Sequence, residues 1–313
     1  MKFGPEGRML SPTETRLSEP QEALYPLLVP ENERRAIDMN AFRDLYDVDK
    51  DMEYLRRKEA KNAERDAREN NPEKIRTKKS GKLFEAVVNH GIDEIGFLGP
   101  DASSTVASQY DDFHGIDSIV EFESEEGMTS HLALGIDVTR NARDIKEKLD
   151  NVRKDISNGK LSDAKYFKSP NFRGELRNIV RVVVGADQFT IDNISDLIVR
   201  KMRLNKTIEE NKKSENSSES TKQLTKERGR VSTALGEHPL QWIVLFEILQ
   251  ELEAYQRYAE KMQKPNIVKE CGKILGIINQ VIADKKDVGL SPNEEALSSD
   301  RVYQLIREEI KSF

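Results

Sequence analysis

The sequence predicts an α/β protein: a mixed sheet flanked by helices, with an N-terminal helical arm and a C-terminal helical hairpin. Three observations lead there. Two strand-like runs, "GIDSIVEFE" (115–123) and "HLALGIDVT" (131–139), are separated by polar "SEEGMTS", the pattern of an antiparallel hairpin. The near-continuous apolar run "IVRVVVGAD" (179–187) suits a buried central strand. Amphipathic helical segments precede, separate and follow these runs, so the sheet has helices to cover it.

In chain order, residues 1–30 carry several prolines and few periodic apolar positions, which predicts an irregular leader. Residues 31–69 are dense in charge, with many i,i+4 opposite pairs and almost no apolar stripe, the pattern of a solvated helix or arm within a segment 1–79. The compact core, 80–204, opens with Ser80 as N-cap of "GKLFEAVVNH" and Gly91 as its end. Leu83, Phe84, Val87 and Val88 form the buried stripe of that helix, and Glu85 lies on its flank. Residues 93–114 read as irregular. A helix after the hairpin carries Ala142, Ile145, Leu149, Val152 and Ile156 at helical spacing and ends near Gly159.

After the central strand, Thr190 is placed to cap "IDNISDLIVRKMRL". Residues 205–230 are polar and Ser-rich, the composition of a linker. In the last segment, 231–313, two long helices are broken at Pro265 and a shorter one follows near 300–311. Their apolar faces are too broad to stay exposed, so they pack on each other, on the sheet, or on a second copy in a homodimer.

The 313 residues, 36% hydrophobic and 34% charged, allow one sizeable core with helical attachments. A lone Cys271 has no disulfide partner, the N-terminus lacks a signal-like apolar run, and no stretch approaches the roughly 18–20 apolar residues of a membrane span. A cytoplasmic protein with no membrane partner is expected. The net charge of −6 argues against a generally adhesive nucleic-acid binder, but residues 140–181 hold twelve basic residues against six acids. That window is either a phosphate-facing patch or a solvated mixed-charge surface. There is no P-loop, and the four histidines and one cysteine show no zinc spacing.

The acids carry the functional reading. Side chains two apart on a strand share a face, so Asp137 lies with Ala133 and Gly135 while Leu132, Leu134 and Ile136 lie opposite. On the partner strand Asp117, Ile119 and Glu121 share one face. Asp117, Asp137 and Glu85 can therefore converge on one pocket. Crowded carboxylates repel unless protonated or neutralised, and Mg²⁺ or Mn²⁺ relieves that repulsion through oxygen ligands.

The order Glu85 on a helix, Asp117 on a strand and Asp137 on the next strand, followed by helix and strand, resembles the core of the PD-(D/E)XK nuclease superfamily over residues 80–204. The resemblance implies a restriction-endonuclease-like fold and metal-dependent hydrolysis of DNA or RNA backbones. It places Asp117 as the metal-binding aspartate, Asp137 as the (D/E)XK acid and Glu85 as the helix glutamate. Thr139 stands where the family has its lysine. Lys148, on the next helix and flanking its buried stripe, is the candidate substitute, and Lys146 on the other side the weaker one.

Structural roles compete at each position. Asp137 is also placed to cap the turn into the helix at 141 and Asp117 to open a strand after Gly115, while Asp111 and Asp112 either border the pocket or shape a turn. Glu121 is an extra ligand or a sheet-edge charge. His114 is a loop histidine without a role or a candidate assistant, and His131 reads as a surface residue. Trp242, Tyr255 and Tyr258 read as core or interface residues. The alternative function is a catalytically inactive nuclease-like scaffold that dimerises through its C-terminal helices.

Overall fold

The computed structural model describes residues 17–69, 72–123, 129–137, 142–170, 172–213 and 219–313. Its centre is a five-stranded mixed sheet in the order β1-β2-β3-β5-β4, where β1 is Ala102–Val106, β2 Ser118–Glu123, β3 Thr129–Asp137, β4 Ser162–Lys168 and β5 Arg173–Gly185. β1, β2 and β3 run as an antiparallel meander, β3 pairs β5 in parallel, and β4 closes the far edge antiparallel to β5. The chain is α/β, as the sequence predicts.

Period-two alternation sorts the side chains onto two faces. Val120, Leu132 and Val180 stand opposite one another and join the larger core, whereas Ile119 and Ala133 face the other way into a second cluster with Ala164, Phe167 and Ile179. This is the parity expected for the hairpin. The larger core is covered by α3 (Pro72–His90), α5 (Ala142–Ser157), α8 (Leu240–Lys261) and α9 (Pro265–Asp287). The Ile145, Leu149, Val152 and Ile156 stripe of α5 is buried, and the chain leaves that helix through Gly159 at φ +73.

Several expectations are corrected. The leader contains α1 (Glu19–Arg34), capped by Ser18 and running through Pro26 and Pro30. Prolines read as breakers, but burial of Leu24, Leu28 and Val29 on one stripe holds the helix against α3 and α6 (Gln188–Lys213). The charged segment is not a free arm throughout. α2 (Val48–Glu69) buries Val48 and Leu55 beside Met39, Phe42 and Tyr166, and Lys165 of β4 pairs with Asp51. Ser80 lies inside α3 rather than capping it.

Gly91 does not end the helix either: a π-helical turn, Gly91–Ile95, carries the chain on to Gly96 at φ +77. Gly91 is needed for space, because a Cβ there would stand 2.3 Å from the Phe97 ring. Asp187, not Thr190, accepts the N–H in the first turn of α6, and the Thr190 hydroxyl donates instead to Asp300. The stretch read as a linker is helical over most of its length. α6 runs to Lys213 and α7 (Glu219–Gly236) packs against it, with Ile208 and Val231 buried on a sparse seam. β1 and β4 were not anticipated; "ASSTV" has no large apolar residue to mark a strand.

The C-terminal helices form the expected hairpin at Pro265, followed by α10 (Glu294–Ser299) and α11 (Arg301–Glu309). Their apolar faces are covered within the chain. β4 pairs β5 only as far as Ile179, so the next stretch of β5 has an open edge, which α8 covers with carboxylates. Glu251 accepts the Val183 N–H and Glu247 the Gly185 N–H, each at 2.9 Å. Both glutamates are buried, and loss of water raises their pKa values, that of Glu251 to about 8. Among the described residues no helix is long and apolar enough to cross a membrane.

Candidate metal centre

Three acids approach one another at the end of the sheet where β2 begins and β3 finishes. Glu85 comes from α3. The burial of Leu83, Phe84, Val87 and Val88 leaves it half-buried on the helix flank, where its Oε1 accepts from Asn32 Nδ2 at 3.0 Å. Asn32 is itself held by Asn89, whose Nδ2 donates to Asn32 Oδ1 at 3.0 Å. Burial raises the Glu85 carboxyl to about 7. The negative charge of Asp112 adds to that rise, while the Asn32 hydrogen bond and Lys82 oppose it.

Asp112 comes from α4, a short helix over Gln109–Phe113 capped by Ser108. Its neighbour Asp111 is structural. A register shift interrupts the β4–β5 ladder between Ala164 and Phe167, and Asp111 accepts the Lys165 N–H at 2.8 Å and the Tyr166 N–H at 3.1 Å. This clamp turns the next carboxyl toward the sheet end. Asp112 is exposed as a whole residue, yet protein crowds its carboxyl and loss of water raises its pKa. A hydrogen bond with Asp117 and the charges of Lys82 and Lys148 pull it back.

Asp117 precedes β2 directly. Gly115 turns the chain at φ +85, the Ile116 N–H donates to the Asp111 carbonyl, and the Asp117 carbonyl accepts from Ala107, fixing the residue at the start of the β1–β2 ladder. Asp117 stands within hydrogen-bonding reach of Asp112, and that contact favours the charged form of Asp112.

Of the residues named from sequence, Glu85, Asp117 and Lys148 each interact electrostatically or by hydrogen bonding with Asp112. Lys148 is half-buried on α5, and its charge acts on Asp112. Lys146 is directed elsewhere, to Glu309 of α11 at 3.3 Å. The backbone of Asp137 ends β3 opposite Gly185. Ser118 pairs with Leu134, so Asp117 continues that register toward Gly135, with Asp137 two residues further along the strand. The Asp137 side chain and Thr139 lie outside the described residues.

Glu121 and His131 pair with each other at 2.9 Å, and His131 packs edge-on against Phe167 at 5.3 Å. His131 is therefore not the surface residue expected, and Glu121 has a partner on β3. His114 hydrogen-bonds through Nδ1 to the Tyr110 carbonyl and stacks on Tyr54. Trp242 and Tyr255 are core residues. Several bases of the 140–181 window have separate partners: Lys146 with Glu309, Lys165 with Asp51, Arg173 with Asp44, Arg177 with Glu175 and Arg181 with Asp155. These pairings distribute the charge.

For Asp112 the sequence offers a turn or the border of the pocket, and in the structure its carboxyl interacts with Asp117; Lys82, which pairs with Glu33 and also acts on Asp112, has no signal in the sequence. The spacing of Asp112 to Asp117 matches no motif, and only the tight turn at Gly115 brings the two together. Among the described residues no three side chains of His, Cys, Asp or Glu are grouped so that they could hold a metal ion. Glu85, Asp112 and Asp117 offer only carboxylate oxygens, the donor type that a hard divalent ion takes. No family model, curated protein or solved structure matches the chain.

Proposed function

We propose that the protein is a metal-dependent nuclease-like hydrolase of nucleic-acid phosphodiester bonds, with a restriction-endonuclease-like core over residues 80–204. The observation that carries this reading is convergence: Glu85 of α3, Asp112 of α4 and Asp117 at the start of β2 gather at one end of the sheet, with Lys148 of α5 within electrostatic reach. The element order supports it as well. A helix, three meandering antiparallel strands, a crossover helix and a strand parallel to the third follow the order of the PD-(D/E)XK core, with β4 as an additional edge strand.

Asp117 and Asp137 would hold Mg²⁺ or Mn²⁺, with Glu85 beside them and Asp112 added by the geometry. A bound ion of this kind supplies positive charge for the phosphodiester transition state and lowers the pKa of an attacking water. Lys148 takes the electrostatic role left open by Thr139, and Lys82 offsets the acids on the α3 side.

The test is cleavage of end-labelled single-stranded DNA, double-stranded DNA and RNA with Mg²⁺ or Mn²⁺, comparing the parent with Asp117→Ala, Asp137→Ala and Lys148→Ala. Metal-dependent cleavage lost in both aspartate variants, and reduced about 100-fold or more in Lys148→Ala, is expected. Thr139 is the specific observation favouring the second reading, an inactive scaffold. Absence of cleavage from every substrate supports that reading instead.

A further inference from the structure

The short helix that supplies Asp112 sends its next two side chains in another direction. Phe113 and His114 meet Tyr54 of α2: the Tyr54 and His114 rings lie 15° from parallel with centroids 6.3 Å apart, and Phe113 stands edge-on to both at 5.9 and 5.7 Å. Tyr110 extends the group, 4.5 Å from His114. Unlike the aromatic rings of the core, this group reaches solvent. Phe113 is 38% exposed and His114 is exposed, with Tyr54 and Tyr110 half-buried.

Charge surrounds the rings asymmetrically. Lys50, Lys58 and Lys61 are exposed on α2 and fall at i−4, i+4 and i+7 from Tyr54, so they share its side of the helix. The Lys58 ammonium lies 5.4 Å from the Tyr54 ring centroid. Four acids of the same helix have partners: Asp49 pairs with Arg43, Asp51 with Lys165, Glu53 with Arg57 and Glu59 with Gln109. Flat exposed rings bordered by cations suit an unpaired base with its phosphate, whereas the bases of a duplex are already stacked and present no free face.

We infer that Tyr54, Phe113 and His114 form a stacking ledge for a single-stranded polynucleotide, with the basic side of α2 contacting its phosphates. The inference rests on the nuclease reading for its purpose, Phe113 being next to Asp112 in the chain. Binding itself needs no cleavage, and the two can therefore fail separately.

The experiment is fluorescence anisotropy of labelled (dT)12, (rU)12 and a 12-base-pair duplex with the full chain in EDTA, across a salt series. Comparison variants are Tyr54→Ala, Tyr54→Phe, Phe113→Ala and Lys58→Gln, each checked by thermal unfolding. The ledge predicts that single strands bind more tightly than duplex and that Tyr54→Ala and Phe113→Ala each weaken them about 10-fold. It also predicts that Tyr54→Phe retains binding and that Lys58→Gln shallows the salt dependence. The (dT)12 and (rU)12 arms separate DNA from RNA as the source of the strand. No single-strand binding, equal or tighter duplex binding, or binding indifferent to Tyr54 and Phe113 in folded variants would overturn the inference, whatever the cleavage assay shows. Binding that meets these expectations without cleavage would sustain the ledge and sink the nuclease reading.

Discussion

Asp112, near the end of a short helix, and Asp117, the residue before β2, stand within side-chain hydrogen-bonding reach, and the contact lowers the Asp112 pKa against the rise that burial causes. Glu85 is a third acid, whose pKa the charge of Asp112 helps burial to raise.

Glu85 is raised from 4.5 to about 7, and Asp112 is raised from 3.8, so the folded state keeps protons that the unfolded chain has released. By linkage, the destabilisation from Glu85 grows as pH rises from about 4.5 and is complete above about 7. The metal-free protein should show a falling Tm over this window. Added Mn²⁺ should restore it increasingly with pH, because binding releases protons. Glu85→Gln should flatten the metal-free profile. A Tm series with and without Mn²⁺ checks all three.

Asp111 predicts a purely structural loss. It accepts two backbone N–H groups of β4 at an interrupted ladder. Asp111→Ala should cost about 1–3 kcal/mol for the donors left unpaired, and Asp111→Asn less, since one amide oxygen still accepts. Urea denaturation measures both.

The glutamates of α8 predict a second, separable pH effect. Glu251 accepts the Val183 N–H while its pKa stands near 8, raised from 4.5. Its unfavourable contribution grows from about pH 4.5 and levels off above about 8. Glu251→Gln, which resembles the neutral acid, should therefore be more stable than the parent at pH 9, with the advantage shrinking toward pH 5. Glu251→Ala should be destabilised at both values. Thermal unfolding of the three proteins, without metal, distinguishes this effect from that of Glu85.

The sheet hairpin, the central strand and the crossover helix were legible because long apolar patterns of period 2 and 3.6 encode them locally. The half-buried flank positions of Glu85 on α3 and Lys148 on α5 were legible from their offset to those patterns. β1, α1 and α7 were not: "ASSTV" owes its pairing to β2, and the prolines of α1 and the sparse apolar seam of α7 conceal helices that tertiary packing stabilises. Between a turn and the pocket border, Asp112 was undecided for a similar reason. Its place depends on Asp111 gripping β4 and on Gly115 folding the chain back, contacts that no local spacing encodes.

The central claim is that these acids form a divalent-cation site, and Mn²⁺ titration calorimetry tests it most directly. Parent, Asp117→Ala and Asp137→Ala are compared with and without a short phosphorothioate oligonucleotide, and thermal unfolding confirms that each variant is folded. The account predicts saturable Mn²⁺ binding by the parent, strengthened by the oligonucleotide, and its loss in both folded variants. Absence of Mn²⁺ binding by the parent even with the oligonucleotide, or binding unchanged in both variants, would contradict it.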